Sequence, residues 1–120
     1  MELIGKILAA LVSIEHVYFL YLEMFLWTKP RGLKSFGNTP AQAEATKTLA
    51  ANQGLYNGFL AAGLAWGVFH PDPAVGHQVL IFFLGCVLVA GIYGGLTAKR
   101  SILYLQALPA LTALLAVLIF

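Results

Sequence analysis

Four long apolar stretches, separated by more polar segments that carry proline, glycine or charge, occupy most of this 120-residue chain. They run from about Leu3 to Trp27, Leu49 to Phe69, Gln78 to Thr97 and Ile102 to Phe120, so each is 19 to 25 residues long. A helix rising 1.5 Å per residue needs roughly 20 apolar residues to cross the hydrocarbon core of a bilayer. Composition agrees with that reading. Hydrophobic residues make up 60% of the chain, charged residues 10%, and the mean hydropathy is +0.83. Soluble domains are roughly half apolar and a quarter charged. A water-facing surface cannot be assembled from so few polar residues. The expected fold is therefore all-α, an integral membrane four-helix bundle forming a single transmembrane domain.

The punctuation between stretches supports helices with defined ends. Thr28-Lys29-Pro30-Arg31-Gly32 stops the first span. Thr39-Pro40-Ala41-Gln42 reads as a helix start, with Thr39 as N-cap, Pro40 at the first helical position and Gln42 as capping-box partner. A helix from Pro40 to Phe69 would hold 30 residues, about 45 Å at 1.5 Å per residue. It should start in the cytoplasmic loop 28–48 and enter the bilayer near Leu49. His70-Pro71-Asp72-Pro73 reads as a tight turn. The first apolar stretch contains Glu15 and His16 and has no small-x-small cleavage site after it, so it is expected to be a permanent span and not a signal peptide.

Charge sets the orientation. The loops after spans one and three hold Lys29, Arg31, Lys34, Lys47, Lys99 and Arg100, whereas the opposite side holds only Lys6. The positive-inside rule makes the basic side cytoplasmic, which places both termini outside. A net charge of +2 without a basic face argues against nucleic acid. The single Cys86 excludes an internal disulfide and a CxxC motif.

Ionisable residues inside a span are costly, about 2.5–3.5 kcal/mol each on insertion scales, and therefore point to function. Span one carries Glu15, His16 and Glu23. At about 100° per residue they fall within one arc of about 100°, together with Val12 and Phe19. That arc should line the interior. Counting four residues inward from each cytoplasmic end reaches Glu23, Gln53, Tyr93 and Gln106, one per helix and about 6 Å inside the boundary. Asn52 and Asn57 flank that level. The candidate ligand-binding or proton-carrying residues are thus Glu15, His16, Glu23, Asn52, Gln53, Asn57, Tyr93 and Gln106. A plainer account exists for the amides, which often serve as hydrogen-bond glue between membrane helices, and for Tyr93, a common interfacial anchor.

Small residues form a second pattern. Gly54, Gly58, Ala61, Ala62 and Ala65 cluster on one face of the second helix, and Gly91, Gly94 and Gly95 mark the third. Such stripes permit close helix approach, within a chain or between copies. His70, Asp72 and His77 share the external turn, but their spacing matches no metal module, and no metal site is expected there. A haem or metal held by His16 would also lack ligands.

Several segments are similar to the domain-of-unknown-function family 1304, small bacterial membrane proteins. They are Glu15-His16, Glu23-Met-Phe-x-Trp27, Phe36-Gly37, Asn52-Gln-Gly-x-Tyr-Asn-Gly-Phe59, Ala90-Gly-x-Tyr-Gly94 and Gln106-x-x-Pro-Ala110. The Asn52–Phe59 block is the most specific. The resemblance covers nearly the whole chain and implies a four-span protein of the bacterial inner membrane. It implies no activity, catalytic residue or cofactor.

Two functional readings remain open. In the first, an intrabundle polar pocket binds a small or lipid-like ligand, with transport coupled to proton exchange and a homo-oligomer enclosing the pathway. Desolvation favours the neutral form of a carboxyl, which suits Glu15 to proton exchange. In the second, the same groups do acid–base chemistry on a lipid-soluble substrate, as an isomerase would. The orientation is directly testable in a Cys86→Ser background. Asp72→Cys should react with impermeant maleimide on intact cells, while Lys34→Cys and Lys99→Cys should react only after permeabilisation; external labelling of Lys34→Cys would reverse the topology.

Overall fold

A computed structural model of the chain describes residues 2–120. Helix α1 spans Glu2–Phe25, α2 Pro30–Phe36, α3 Pro40–Phe69 and α4 Pro73–Thr97. A π-helical turn, Leu103–Ala107, then leads into α5, Leu108–Ile119. Among the described residues there is no strand. The Leu3–Phe25 part of α1 and the whole of α4, Pro73–Thr97, are long and apolar enough to cross a membrane by length and composition. Leu103–Ile119 is a shorter apolar helix.

Local chemistry explains each boundary. At the start of α3 the Gln42 N–H donates to Thr39 Oγ1 at 3.1 Å, and the Thr39 N–H donates to Gln42 Oε1 at 2.9 Å. This is the reciprocal capping box expected from the sequence, and it satisfies two donors that would otherwise be orphaned. Helix α4 begins at Pro73, five residues before the expected Gln78. Asp72 is its N-cap, accepting the Ala74 N–H at 3.0 Å, with Pro73 at the first position. The apolar stretch begins only near Gln78, so the helix starts ahead of it. Helix α1 ends at Phe25, and the chain turns there through a Lys29 N–H to Leu26 O bond of 3.0 Å.

Two elements were not expected. Helix α2 occupies what reads as a polar loop. Pro30 starts it, and Gly37 ends it at φ 68°, the left-handed conformation that a side chain would strain. Gly32 lies so close to the preceding turn that a Cβ there would sit 1.9 Å from Leu26 O. The π turn has its cause in Pro109. Proline has no N–H to give, and its ring crowds the carbonyl four residues earlier, that of Leu105. The backbone widens, and the Leu108 N–H reaches five residues back to Leu103 O.

The chain divides into two compact units. One comprises the residues up to Ile14 together with Leu60–Phe120, and the other comprises Glu15–Phe59. The first has an apolar core in which Leu64, Leu80, Leu84 and Val87 meet Ala9, Val12, Ala110, Ala113 and Val117. Alanine and glycine let its backbones approach. A Cβ on Gly91 would lie 2.6 Å from the Ala107 nitrogen, and one on Gly95 would lie 2.3 Å from Leu103 Cγ. The Ser13 hydroxyl, also buried, donates to Ala61 O at 2.8 Å, a bond worth on the order of 1 kcal/mol.

In the second unit the end of α1 packs on the start of α3. A Cβ on Gly54 would lie 2.7 Å from Met24 Cγ, and one on Gly58 would lie 2.7 Å from Leu20 Cδ1. These two glycines of the small-residue stripe are used within the chain, whereas Ala62 faces outward. Helix α2 is pinned to this unit by Trp27 packing on Phe36 at 4.7 Å, the rings tilted by 47°, and by Arg31 over the Tyr18 ring at 5.7 Å.

Glycines on α4 provide an internal control. Gly91→Ala should destabilise by about 1–3 kcal/mol, since the Ala107 backbone cannot yield as a side chain would. At Gly85 an added Cβ meets nothing within 4 Å. Gly85→Ala should therefore be neutral or gain up to about 1 kcal/mol of helix propensity. Thermal or SDS unfolding of the purified variants checks the contrast.

Candidate functional site

Helix α1 is turned inside out relative to a soluble amphipathic helix. His16 is 0% exposed and Glu23 is 8% exposed, while Ile7, Leu11, Ile14 and Val17 are at least half exposed. The arc of Glu15, His16, Val12 and Glu23 therefore does face inward, with Glu15 only half-buried. The His16 ring sits edge-on to Phe19, at 5.1 Å between centroids. The Glu15 Oε1 atom is buried and has no hydrogen-bond partner among the described residues.

Glu23 is the best-defined polar group. Its Oε1 accepts a short hydrogen bond from the Asn57 side-chain amide of α3. The partner is Asn57 and not Gln53, whose side chain is exposed. Equal depth fixes a residue's position along a helix but not around it. Gln53 lies about 100° from the buried Gly54, whereas Asn57 is only about 60° from it. Asn52 is exposed and donates to Thr48 O of its own helix at 2.9 Å. Tyr93 and Gln106 belong to the other unit. Tyr93 is 70% exposed on α4, and Gln106 is half-buried in the π turn.

Beside Glu23 lies an open cleft of about 350 Å³. Its wall combines Glu23, Asn52, Thr28, Thr48 and Lys47 with apolar Met24, Phe25, Trp27 and Ala51. That volume is at the small end of ligand pockets, which run from about 300 to 1,000 Å³. By contrast, a cavity bordered by Lys6, His77 and Leu80 is about 30 Å³, room for roughly one water.

The Trp27 indole is held in place: its Nε1–H donates to Thr46 Oγ1 at 3.1 Å, and Thr46 in turn donates to Gln42 O at 2.7 Å. Lys47 forms an ion pair with Glu44 on the same helix. Thr28, Lys47 and Thr48 are cleft residues that the span-by-span reading passes over. For Lys47 and Thr48 the signal is the i, i+4 spacing of Thr48 with Asn52 and of Lys47 with Ala51, which places each pair on one face of α3. In the turn before α4, His70 Nδ1 accepts the Asp72 N–H at 3.0 Å.

The family described as Protein of unknown function (DUF1304) matches residues 10–118. The chain belongs to that family. It is also 29% identical over 118 residues to the uncharacterized protein YpaA of Lactococcus lactis subsp. lactis (strain IL1403), covering 97% of this chain and 98% of that protein. No solved structure matches it at a significant level.

The Glu23–Asn57 pair predicts a cycle of stabilities. Glu23→Gln keeps an acceptor for the Asn57 amide and should cost little. Asn57→Leu strands a buried carboxyl and should cost about 1–3 kcal/mol. Adding Glu23→Leu to Asn57→Leu should recover part of that loss, which unfolding of the three variants in detergent measures.

Proposed function

We propose that the protein is a four-span protein of the bacterial inner membrane, with both termini outside, and that the Glu23 cleft binds a small or lipid-like ligand. Span one would be α1, span two the later part of α3, span three α4, and span four the helix ending at Ile119. The inverted polarity of α1 supports membrane insertion: leucine and isoleucine face outward, and carboxyl and imidazole face inward. The six-to-one division of basic residues supports the orientation. In that orientation the cleft opens near the cytoplasmic headgroup level, where an amphiphile or a solute can reach it.

The observation that carries the binding reading is the position of Glu23. Glu23 is buried, its carboxyl accepts a hydrogen bond from one amide, and the residue borders a cleft of about 350 Å³. A group serving stability alone would not need that opening. Transport coupled to proton exchange at Glu23 or Glu15, within a homo-oligomer, is the extended form of this proposal.

The test is native mass spectrometry of the protein released from nanodiscs made with lipid extract of the expressing cells. A retained adduct is expected on the wild-type chain. Asn52→Trp, an exposed rim position, should fill the cleft and remove it. The same adducts on both proteins would eliminate the cleft as a binding site.

A further inference from the structure

The charge balance of the cleft points to the chemistry of its occupant. Glu23 is the acid in its wall and is almost fully buried. Among the described residues no lysine or arginine pairs with it, and its hydrogen-bond partner Asn57 is neutral. Lys47, the cation at the cleft, is held by Glu44 instead. A buried carboxylate without a cation is costly, and its environment favours either a proton or a cation delivered from outside.

The remainder of the wall fits one kind of cation. Trp27 and Phe25 present aromatic surface, and indole is the strongest cation–π acceptor among side chains. The Thr46 hydrogen bond and the tilted contact with Phe36 orient that indole before any ligand arrives. Thr28, Thr48 and Asn52 add hydroxyl and carbonyl acceptors at the rim. Among the described residues no group of three His, Cys, Asp or Glu side chains gathers there to hold a bare metal ion, whereas an alkylammonium spreads its charge over methyl and methylene groups that match an aromatic, partly apolar wall.

We infer that the cleft of Glu23 and Trp27 binds an organic ammonium group, carried either by a free solute or by a lipid headgroup. This rests on the binding reading above and names the ligand class of the same site. The carboxylate supplies the countercharge, the indole supplies the face, and the threonines accept hydrogen bonds from whatever N–H or O–H groups accompany the cation.

Choline and its uncharged carbon isostere, 3,3-dimethylbutan-1-ol, separate charge from shape. Titrated by saturation-transfer NMR into the protein in phosphatidylglycerol nanodiscs, choline should bind at least about tenfold more tightly than the alcohol. Glu23→Gln should erase that preference. Asn52→Trp, which alters an exposed residue, gives a second variant should Glu23→Gln misfold, and it should abolish binding of both probes. Adding phosphatidylethanolamine to the nanodiscs distinguishes the sources: weakened choline binding identifies a lipid headgroup as the occupant, and unchanged binding identifies a free solute. Equal affinity for the two probes, or choline binding that survives both substitutions, overturns the inference. If adducts are still lost on Asn52→Trp while the probes bind equally, the cleft stands as a binding site and only the ammonium assignment fails.

Discussion

Polar groups on the buried side of an otherwise apolar helix are costly to leave unpaired, and the pairing of Ser13 and Glu23 organises how α1 meets α3 within each unit. Helix α1 places Ser13, His16 and Glu23 inward and surrounds them with outward-facing aliphatic residues. An unpartnered buried polar group costs about 1–3 kcal/mol in proteins. Helix α3 answers twice, with the Ala61 carbonyl for Ser13 in one unit and the Asn57 amide for Glu23 in the other. The Glu23–Asn57 contact needs close approach, and Gly54 and Gly58 supply it where a methyl group would collide with Met24 and Leu20. In a bilayer the cost of leaving such groups unpaired is no smaller, because lipid offers no substitute donors.

The cleft follows from how the chain leaves α1. Phe25 ends the helix, the backbone turns, and α2 folds back so tightly that only glycine fits at position 32. The turn carries Trp27 to a place where Thr46 and Phe36 hold it. Helix α3 starts at a strong capping box and brings Lys47, Thr48, Ala51 and Asn52 to the facing wall. The site therefore sits on rigid elements with its aromatic wall already oriented, and ordering that wall would cost a ligand little.

The unit formed by the residues up to Ile14 and Leu60–Phe120 is built differently. Its core is dominated by leucine, valine and alanine, and α4 meets the π turn through Gly91 and Gly95. Pro109 widens that turn and leaves Gln106 half-buried within it. π-Helical turns recur at functional sites in other helical proteins. Here the cause is local and covalent, a proline that cannot donate and whose ring displaces a carbonyl.

Helical class, the inward arc of α1, the capping box at Thr39 and family membership were all legible in the residues alone. Periodicity, capping chemistry and motif content are local, and each is read within a few residues. Intramolecular use of Gly54 and Gly58 was one of two open readings until their neighbours on α1 could be named. Helix α2 and the π turn were missed, because the first reads as polar loop and the second depends on how one proline's strain is relieved. Asn57 and not Gln53 meets Glu23, and Thr28, Lys47 and Thr48 join the cleft, for a reason no single-helix count contains. The sequence specifies how far along its helix each side chain lies. Only the packing of one helix on another sets the rotation about its axis, and that rotation decides which amide reaches the carboxyl.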